Sequence, residues 1–267
     1  MARIAVGIEN DGTSYRGWQT QPAAPAVQAE VERALGLVAD HPVAVTCAGR
    51  TDAGVHARAQ VVHFDSGANR TARAWVLGAN SHLPGDISLR WATPVPEHFH
   101  ARYSAEARAY RYLILNRVAR SALAARRALC VHRPLDVPAM RVAAAMLIGE
   151  HDFSAFRAAE CQAKTPVRNM RSLEVERGGD WITIDVCANA FLHHMVRNIV
   201  GLMLAVGAGD APPERAREQL QSRQRSQGEA TAAAHGLYLW QVHYPAGFGL
   251  PADSAIIPAP GAGWIPS

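Results

Sequence analysis

Apolar residues alternate with other residues from Arg3 to Ile8 and predict an opening strand, which Asp11-Gly12 and Tyr15-Arg16-Gly17-Trp18 break into a loop. Val27, Val31, Leu35 and Val38 then recur at spacings of three and four, the stripe of an amphipathic helix running to about Ala39. Val43 to Cys47 and Gln60 to Phe64 have strand composition and flank a polar loop, Gly49 to His56. A helix from Ala72 to Leu83 and a strand from Ile87 to Ala92 follow. Thr93-Pro94-Val95-Pro96 reads as a boundary, with a hinge near residue 100.

The second half opens with a strand pattern over Ala109 to Leu115. A helix is expected from Asp136 to Ile148, capped by Asp136 with Pro138 in its first turn. Ser172 to Glu176 and Trp181 to Val186 straddle Gly178-Gly179-Asp180, a hairpin signal. Ala190 to Val206 reads as a largely buried helix ending at Gly207 and Gly209, and Tyr238 to Val242 as a last strand. These elements give a mixed α/β (α+β) fold with largely antiparallel sheet. Two lobes are expected, 1–100 and 101–245, followed by an irregular tail over 246–267 that is rich in Pro, Gly and Ala.

Composition narrows the class. With 49% hydrophobic and 19% charged residues among 267, the chain can bury a core and is not a disordered one. The most apolar stretch, Phe191 to Val206, carries His193, His194, Arg197 and Asn198, too short and polar to cross a bilayer. Residues 1–9 lack the pattern of a secretory signal, so a cytoplasmic, non-membrane protein is expected. Cys47, Cys130, Cys161 and Cys187 are isolated, without metal or redox spacing. Residues 101–171 hold 13 Lys or Arg against 5 Asp or Glu, within a chain whose net charge is only +4. That asymmetry suits either a polyanionic partner or a solvated basic face.

Three constellations could carry chemistry. The first is Cys47-Ala48-Gly49-Arg50-Thr51-Asp52-Ala53-Gly54-Val55-His56-Ala57, which sets a cation, a hydroxyl, a carboxylate and an imidazole on a glycine-flanked loop between strands. It is either a reactive site or a turn in which Asp52 bonds backbone amides. It does not fit the phosphate-binding loop, which needs Lys after its last glycine. In the second, Phe191 to Gly201, helical spacing puts His193, Arg197 and Gly201 on one stripe of an apolar helix. Arg197 there needs a counter-charge, with Asp52 a candidate, although a purely structural salt bridge meets the same need. Adjacent His193 and His194 cannot both face one metal from a regular helix, and His98 with His100 lack a third ligand, so no metal is expected. The third is Arg108-Ala109-Tyr110-Arg111-Tyr112, where alternation is expected to send the tyrosines to one face and the arginines to the other. Core packing and base stacking are both open to such tyrosines.

In their order and content, Ala48 to Ala57, Tyr110-Arg111-Tyr112, Phe191 to Gly201 and Gly236-Leu237-Tyr238-Leu239 resemble the motifs of the tRNA pseudouridine synthases, over about residues 3–244. The resemblance implies the pseudouridine synthase fold, with its two lobes meeting at a central cleft. It also implies a cofactor-free isomerase that detaches a uridine from its ribose, rotates it and rejoins it through carbon. Asp52 would be the catalytic carboxylate and Arg197 its ionic partner, while Tyr110 would pack on the target base and remove its ring proton. Leu237 would form part of the apolar wall, and Arg50 and His56 would contact substrate. The implied substrate is uridine at positions 38, 39 and 40 of the tRNA anticodon stem-loop, handled by a homodimer, with Arg50 and parts of Arg102 to Arg133 touching RNA.

Two other classes compete. A binding protein or RNA chaperone needs the basic surface but not Asp52 paired with Arg197. A glycoside hydrolase commonly needs two carboxylates near the bond, and only one stands in these motifs.

Overall fold

The structure, a computed structural model, describes residues 1–161 and 163–251. Its described residues divide into two compact units, one of Met1–Ala107 with residues 238–251, the other Arg108–Leu237. The expected hinge near residue 100 thus falls seven residues before the change of unit. Residues 238–245, expected with the second lobe, count with the first, because their strand adds to the first unit's sheet.

In the first unit, β1 (Ala2–Asn10), β2 (Thr46–Cys47), β3 (His56–Ser66), β4 (Ile87–Val95) and a strand formed last in the chain are joined by α1 (Val27–Ala39) and α2 (Ala72–His82). β1 pairs antiparallel with both β3 and β4, so β4 is an outer strand. That position explains how β4 runs through Thr93-Pro94-Val95, read from sequence as a boundary: proline lacks an N–H donor and an edge strand tolerates the loss. The expected strand over Val43 to Cys47 shortens to two residues, which pair antiparallel with β3, and Val45 instead donates its N–H to the Glu32 carboxylate at 3.0 Å. Val27, Val31, Ala34 and Leu35 of α1 meet Trp75 and Ala79 of α2 and Ile4, Val6, Ile8, Val62 and Phe64 of the strands in one buried cluster. Thr71 caps α2 by accepting the Ala74 N–H at 3.1 Å. A second cluster, Ala5, Val61, Val95, Phe99 and Ala101, takes in Tyr244, Phe248 and Leu250. The tail expected from 246 therefore begins as packed chain with a 3₁₀ turn, Ala246–Phe248, while the rest of that expectation, 252–267, lies outside the described residues.

The second unit holds β5 (Ala107–Asn116), β6 (Leu129–Val131), α3 (Val137–Ala145), β7 (Gly149–Asp152), β8 (Val167–Gly178), β9 (Trp181–Ala188), α4 (Met195–Gly207) and α5 (Arg215–Ser222). β5 and β8 flank β9, with β7 beyond β8, all antiparallel, and β6 adds to β5 in parallel. The β8–β9 hairpin turns through Gly179, at φ +59°, and Asp180, with Gly178 opposite Trp181. Asp136 caps α3, its Oδ1 accepting the Ala139 N–H at 3.0 Å, and Pro138 lies in the first turn. The helix ends three residues before Ile148 because the chain must turn into β7 through Gly149, at φ +106°. β10 (Leu237–His243) closes the chain by pairing in parallel with β3, Tyr238 opposite His56 and Leu239 opposite Ala57.

Candidate functional site

Within the first unit, the polar loop leaves β2 and re-enters at β3. The buried side chain of Gln60 fixes its start by donating to the Gly49 carbonyl at 2.6 Å. Val55 N–H closes a turn on the Asp52 carbonyl at 3.1 Å, and Gly54 takes φ +77°, a value side chains seldom allow. Arg50 is exposed, Asp52 is half-buried and His56 is buried, so this turn brings the three expected residues together with different access to solvent.

The loop over residues 11–18, which the sequence revealed only as a break between elements, backs this turn. Trp18 donates its N–H to the Thr51 carbonyl at 3.0 Å, and Gly54 donates to the Tyr15 carbonyl at 3.4 Å. The fit leaves no room for side chains: a Cβ at Gly17, itself at φ +98°, would stand 2.6 Å from the Thr51 oxygen, and one at Gly12 would stand 2.0 Å from the Val55 oxygen. Tyr15 is buried and donates its hydroxyl to Asp86 at 2.7 Å, and both burial and this bond push its ionisation well above the ordinary tyrosine value. Two glycines and two aromatics within seven residues were the available signal.

His56 stacks on Tyr238 with ring centroids 4.6 Å apart. Its Nδ1 lies 3.0 Å from the Gly12 amide and 3.1 Å from Asp11 Oδ1. These contacts require opposite states of the ring: unprotonated Nδ1 accepts from Gly12, and protonated Nδ1 donates to Asp11. Beside the loop, burial pushes the Cys47 thiol up to about 11, against the pull of the Arg50 and Arg102 charges.

Within the second unit, Tyr110 and Tyr112 of β5 are buried, as alternation requires. Arg108 is buried with them and donates to the Asn189 carbonyl at 3.0 Å, so the expectation that both arginines take the other face holds for Arg111 alone. Residues 108, 110 and 112 share one parity, whereas Arg111 pairs with Asp185 at 2.6 Å. Tyr110 meets Phe191 edge-on at 5.1 Å. Tyr112 donates to the Ala233 carbonyl at 2.8 Å, and its burial raises its ionisation above the usual range.

The helix expected from Ala190 starts only at Met195. His194 precedes it at φ +60°, while His193 donates its N–H to Cys161 Sγ at 3.4 Å and accepts from Ala158. His193 therefore stands outside the helical stripe that was to hold it, on which Arg197 and Gly201 remain. Arg197 Nε donates to the Ala232 carbonyl at 2.8 Å, and the Ala232 N–H returns to the Arg197 carbonyl at 3.1 Å. Gly201 lets this segment approach, since a Cβ there would stand 1.9 Å from the Ala230 oxygen. The same segment runs through Ala233 and Gly236, which abuts the Tyr112 ring, into buried Leu237. Residues 230–237 thus tie Arg197, Tyr112 and Leu237 into one framework. Asn198, missed in the sequence, braces it by accepting from Thr231 at 2.6 Å and Arg225 at 3.1 Å.

The model of a family described as tRNA pseudouridine synthase matches residues 8–104 and 143–245. The chain belongs to the tRNA pseudouridine synthase family. Its similarity to proteins named tRNA pseudouridine synthase A is extensive: 57% identity with that of Nitrosococcus oceani over 93% of this chain and 96% of the relative. That of Coxiella burnetii is 56% identical over 94% and 96%, and that of Pseudomonas aeruginosa 54% over 94% and 88%. Three of the four motifs that carried the resemblance lie within the matched segments of this tRNA pseudouridine synthase chain, and Tyr110-Arg111-Tyr112 falls between them. No helix among the described residues is long and apolar enough to cross a membrane.

Proposed function

We infer that the protein isomerises uridine to pseudouridine in tRNA, with Asp52 as the reacting carboxylate and the anticodon stem-loop, positions 38, 39 and 40, as its target. Membership of the family carries the reaction class. The assignment to Asp52 is supported by its place on a turn built to fix a half-buried carboxylate, with glycine backbone packed against it.

The reaction moves the ribose bond from N1 to C5 of the base, and the proton lost from C5 is matched by one gained at N1, so no oxidant, hydride or water is consumed. A carboxylate at Asp52 serves attack on the ring, attack on the ribose carbon or removal of a ribose proton, and all three need it ionised. On this reading Arg197 supplies the cation that favours the ionised form. Tyr110 packs on the uracil and takes the C5 proton, and Leu237 shelters the freed base from water. Arg50, His56 and parts of Arg102 to Arg133 contact the RNA. A base inside a paired arm must be turned out at a cost of a few kcal/mol, which phosphate contacts can offset. The same reading has a cofactor-free homodimer working in the cytoplasm.

The test incubates the protein with unmodified tRNA and maps pseudouridine by chemical labelling and primer extension. Modification in the anticodon arm that disappears in Asp52→Asn, with tRNA binding kept, is the expected result; a fully active Asp52→Asn would refute it. Arg197→Ala is expected to lower activity as well as melting temperature.

A further inference from the structure

A column of aromatic rings rises from the first unit's second hydrophobic cluster and ends in solvent. Phe248 meets Phe99 at 5.0 Å, Phe99 meets His63 edge-on at 6.0 Å, His63 meets His100 at 4.8 Å, and His100 lies 4.3 Å from Tyr103 at an interplanar angle of 32°. Each lower ring is fixed. Phe99 and His63 are buried, and His63 Nδ1 accepts the Ala101 N–H at 3.1 Å. The Ala101 carbonyl in turn accepts the Tyr244 hydroxyl at 2.6 Å, and Arg3 donates to the Phe99 carbonyl at 3.0 Å.

The last turn is equally constrained. His100 Nδ1 accepts the N–H groups of Arg102 and Tyr103, both at 3.2 Å, and His100 exchanges two bonds with Ser104, at 2.9 and 2.8 Å. Yet Tyr103 at the top is 76% exposed. A large ring is thus held in place from below and offered to solvent.

Its neighbours are cationic. The Arg102 guanidinium lies 5.6 Å from the Tyr103 ring centre. Ala48, two residues before Arg50, is buried in one cluster with Phe99 and Ala101, which puts the column beside the start of the Asp52 loop, where the Arg50 and Arg102 charges both act on the Cys47 thiol. The imidazoles add no charge at neutral pH, since burial holds His63 down to about 4 and His100 below its ordinary value. An exposed aromatic ring beside an arginine fits single-stranded nucleic acid, which needs a π-face for each base and cations for its backbone.

We propose that Tyr103 is a stacking platform for an unpaired nucleobase of the RNA substrate, flanked by phosphate contacts from Arg102 and Arg50. The proposal rests on the reading of the protein as a tRNA-modifying enzyme.

The experiment measures binding of unmodified tRNA as a function of salt for the parent, Tyr103→Ala, Tyr103→Phe and Arg102→Gln. Tyr103→Ala is expected to weaken binding roughly tenfold, with the melting temperature and the salt slope unchanged, since a stacked base carries no counterion release. Tyr103→Phe keeps the ring and should bind within about twofold of the parent. Arg102→Gln should make the slope of log K against log salt shallower by roughly 0.7–0.9. Parental affinity in Tyr103→Ala overturns the proposal. So does a loss of affinity in Tyr103→Ala accompanied by a shift from dimer to monomer in sedimentation, which would make the ring a subunit contact. Asp52→Asn, assayed in parallel, separates the two readings: its retained activity would sink the catalytic assignment while leaving the stacking result to stand on binding alone.

Discussion

Replacing Gly201 by alanine sets two effects of opposite sign against each other. In the interior of a helix the exchange should stabilise by about 1 kcal/mol, through propensity alone. At this position the new Cβ would lie 1.9 Å from the Ala230 oxygen, where ordinary contact begins near 3.4 Å, so α4 and the 230–232 segment must separate by roughly 1.5 Å. Such a shift stretches the Arg197–Ala232 pair of bonds, one of them from a guanidinium, at 2.8 and 3.1 Å. Overpacking of about 1–3 kcal/mol and the weakened bonds together outweigh the propensity gain, for a net loss of about 2–4 kcal/mol. For a chain of this size that lowers the melting temperature by roughly 5–15 °C, read by circular dichroism. Gly36→Ala in α1 is the control, because its Cβ would meet nothing closer than the His41 oxygen at 3.3 Å, and its stability should hold or rise. A Gly201→Ala protein that melts at or above the parent's temperature would refute the reasoning, showing that the segment yields freely and does not fix Arg197.

Tyr15→Phe removes one hydroxyl from the charge-assisted bond to Asp86 and should cost about 1–2 kcal/mol in urea unfolding. It should also lower single-turnover rates by loosening the loop behind Asp52; an unchanged rate would separate that loop from catalysis. His63 carries a pH dependence whose sign follows from its depressed value of about 4 against an ordinary 6.5. The folded state favours the neutral ring, so this stability is present in full above about pH 6.5 and is lost as pH falls towards 4, where the folded ring takes up its proton. Denaturation at a series of pH values should show that decline in the parent and a smaller one in His63→Gln, and equal declines would assign the effect to other groups.

Much of the fold was legible because local signals and tertiary structure agree. The α1 stripe, the Asp136 cap with Pro138, and the Gly179-Asp180 hairpin all formed where the chain's chemistry places them. The misses have identifiable causes. Pro94 reads as a stop, but β4 lies at a sheet edge where its missing donor does no harm. The run from Ala190 to His194 is apolar enough for helix, yet its backbone is used by Cys161 and Ala158. α5, Arg215–Ser222, buries only Ala216 and Gln219 and so shows no apolar stripe.

Residue types and spacing singled out Asp52, Tyr110 and Arg197 as candidates, and their roles are those proposed above. The supports did not show, because Gly12, Gly17 and Gly201 act by what they lack, and the segments they admit lie far away in sequence. The tyrosine face was legible by parity, and Arg108 belonged to it by the same count.

The parallel pairing of Tyr238 with His56 closes the first unit with the last strand among the described residues. On the ribosome, residues 1–107 emerge first but wait for a strand about 130 residues downstream, a delay of roughly 7–26 s at ordinary elongation rates. Throughout that interval the base of the Asp52 turn lacks the ring that His56 stacks on. The nascent chain therefore carries the Asp52 turn on an unfinished scaffold, and a transcript cut short before codon 238 yields a long product whose first unit lacks its closing strand.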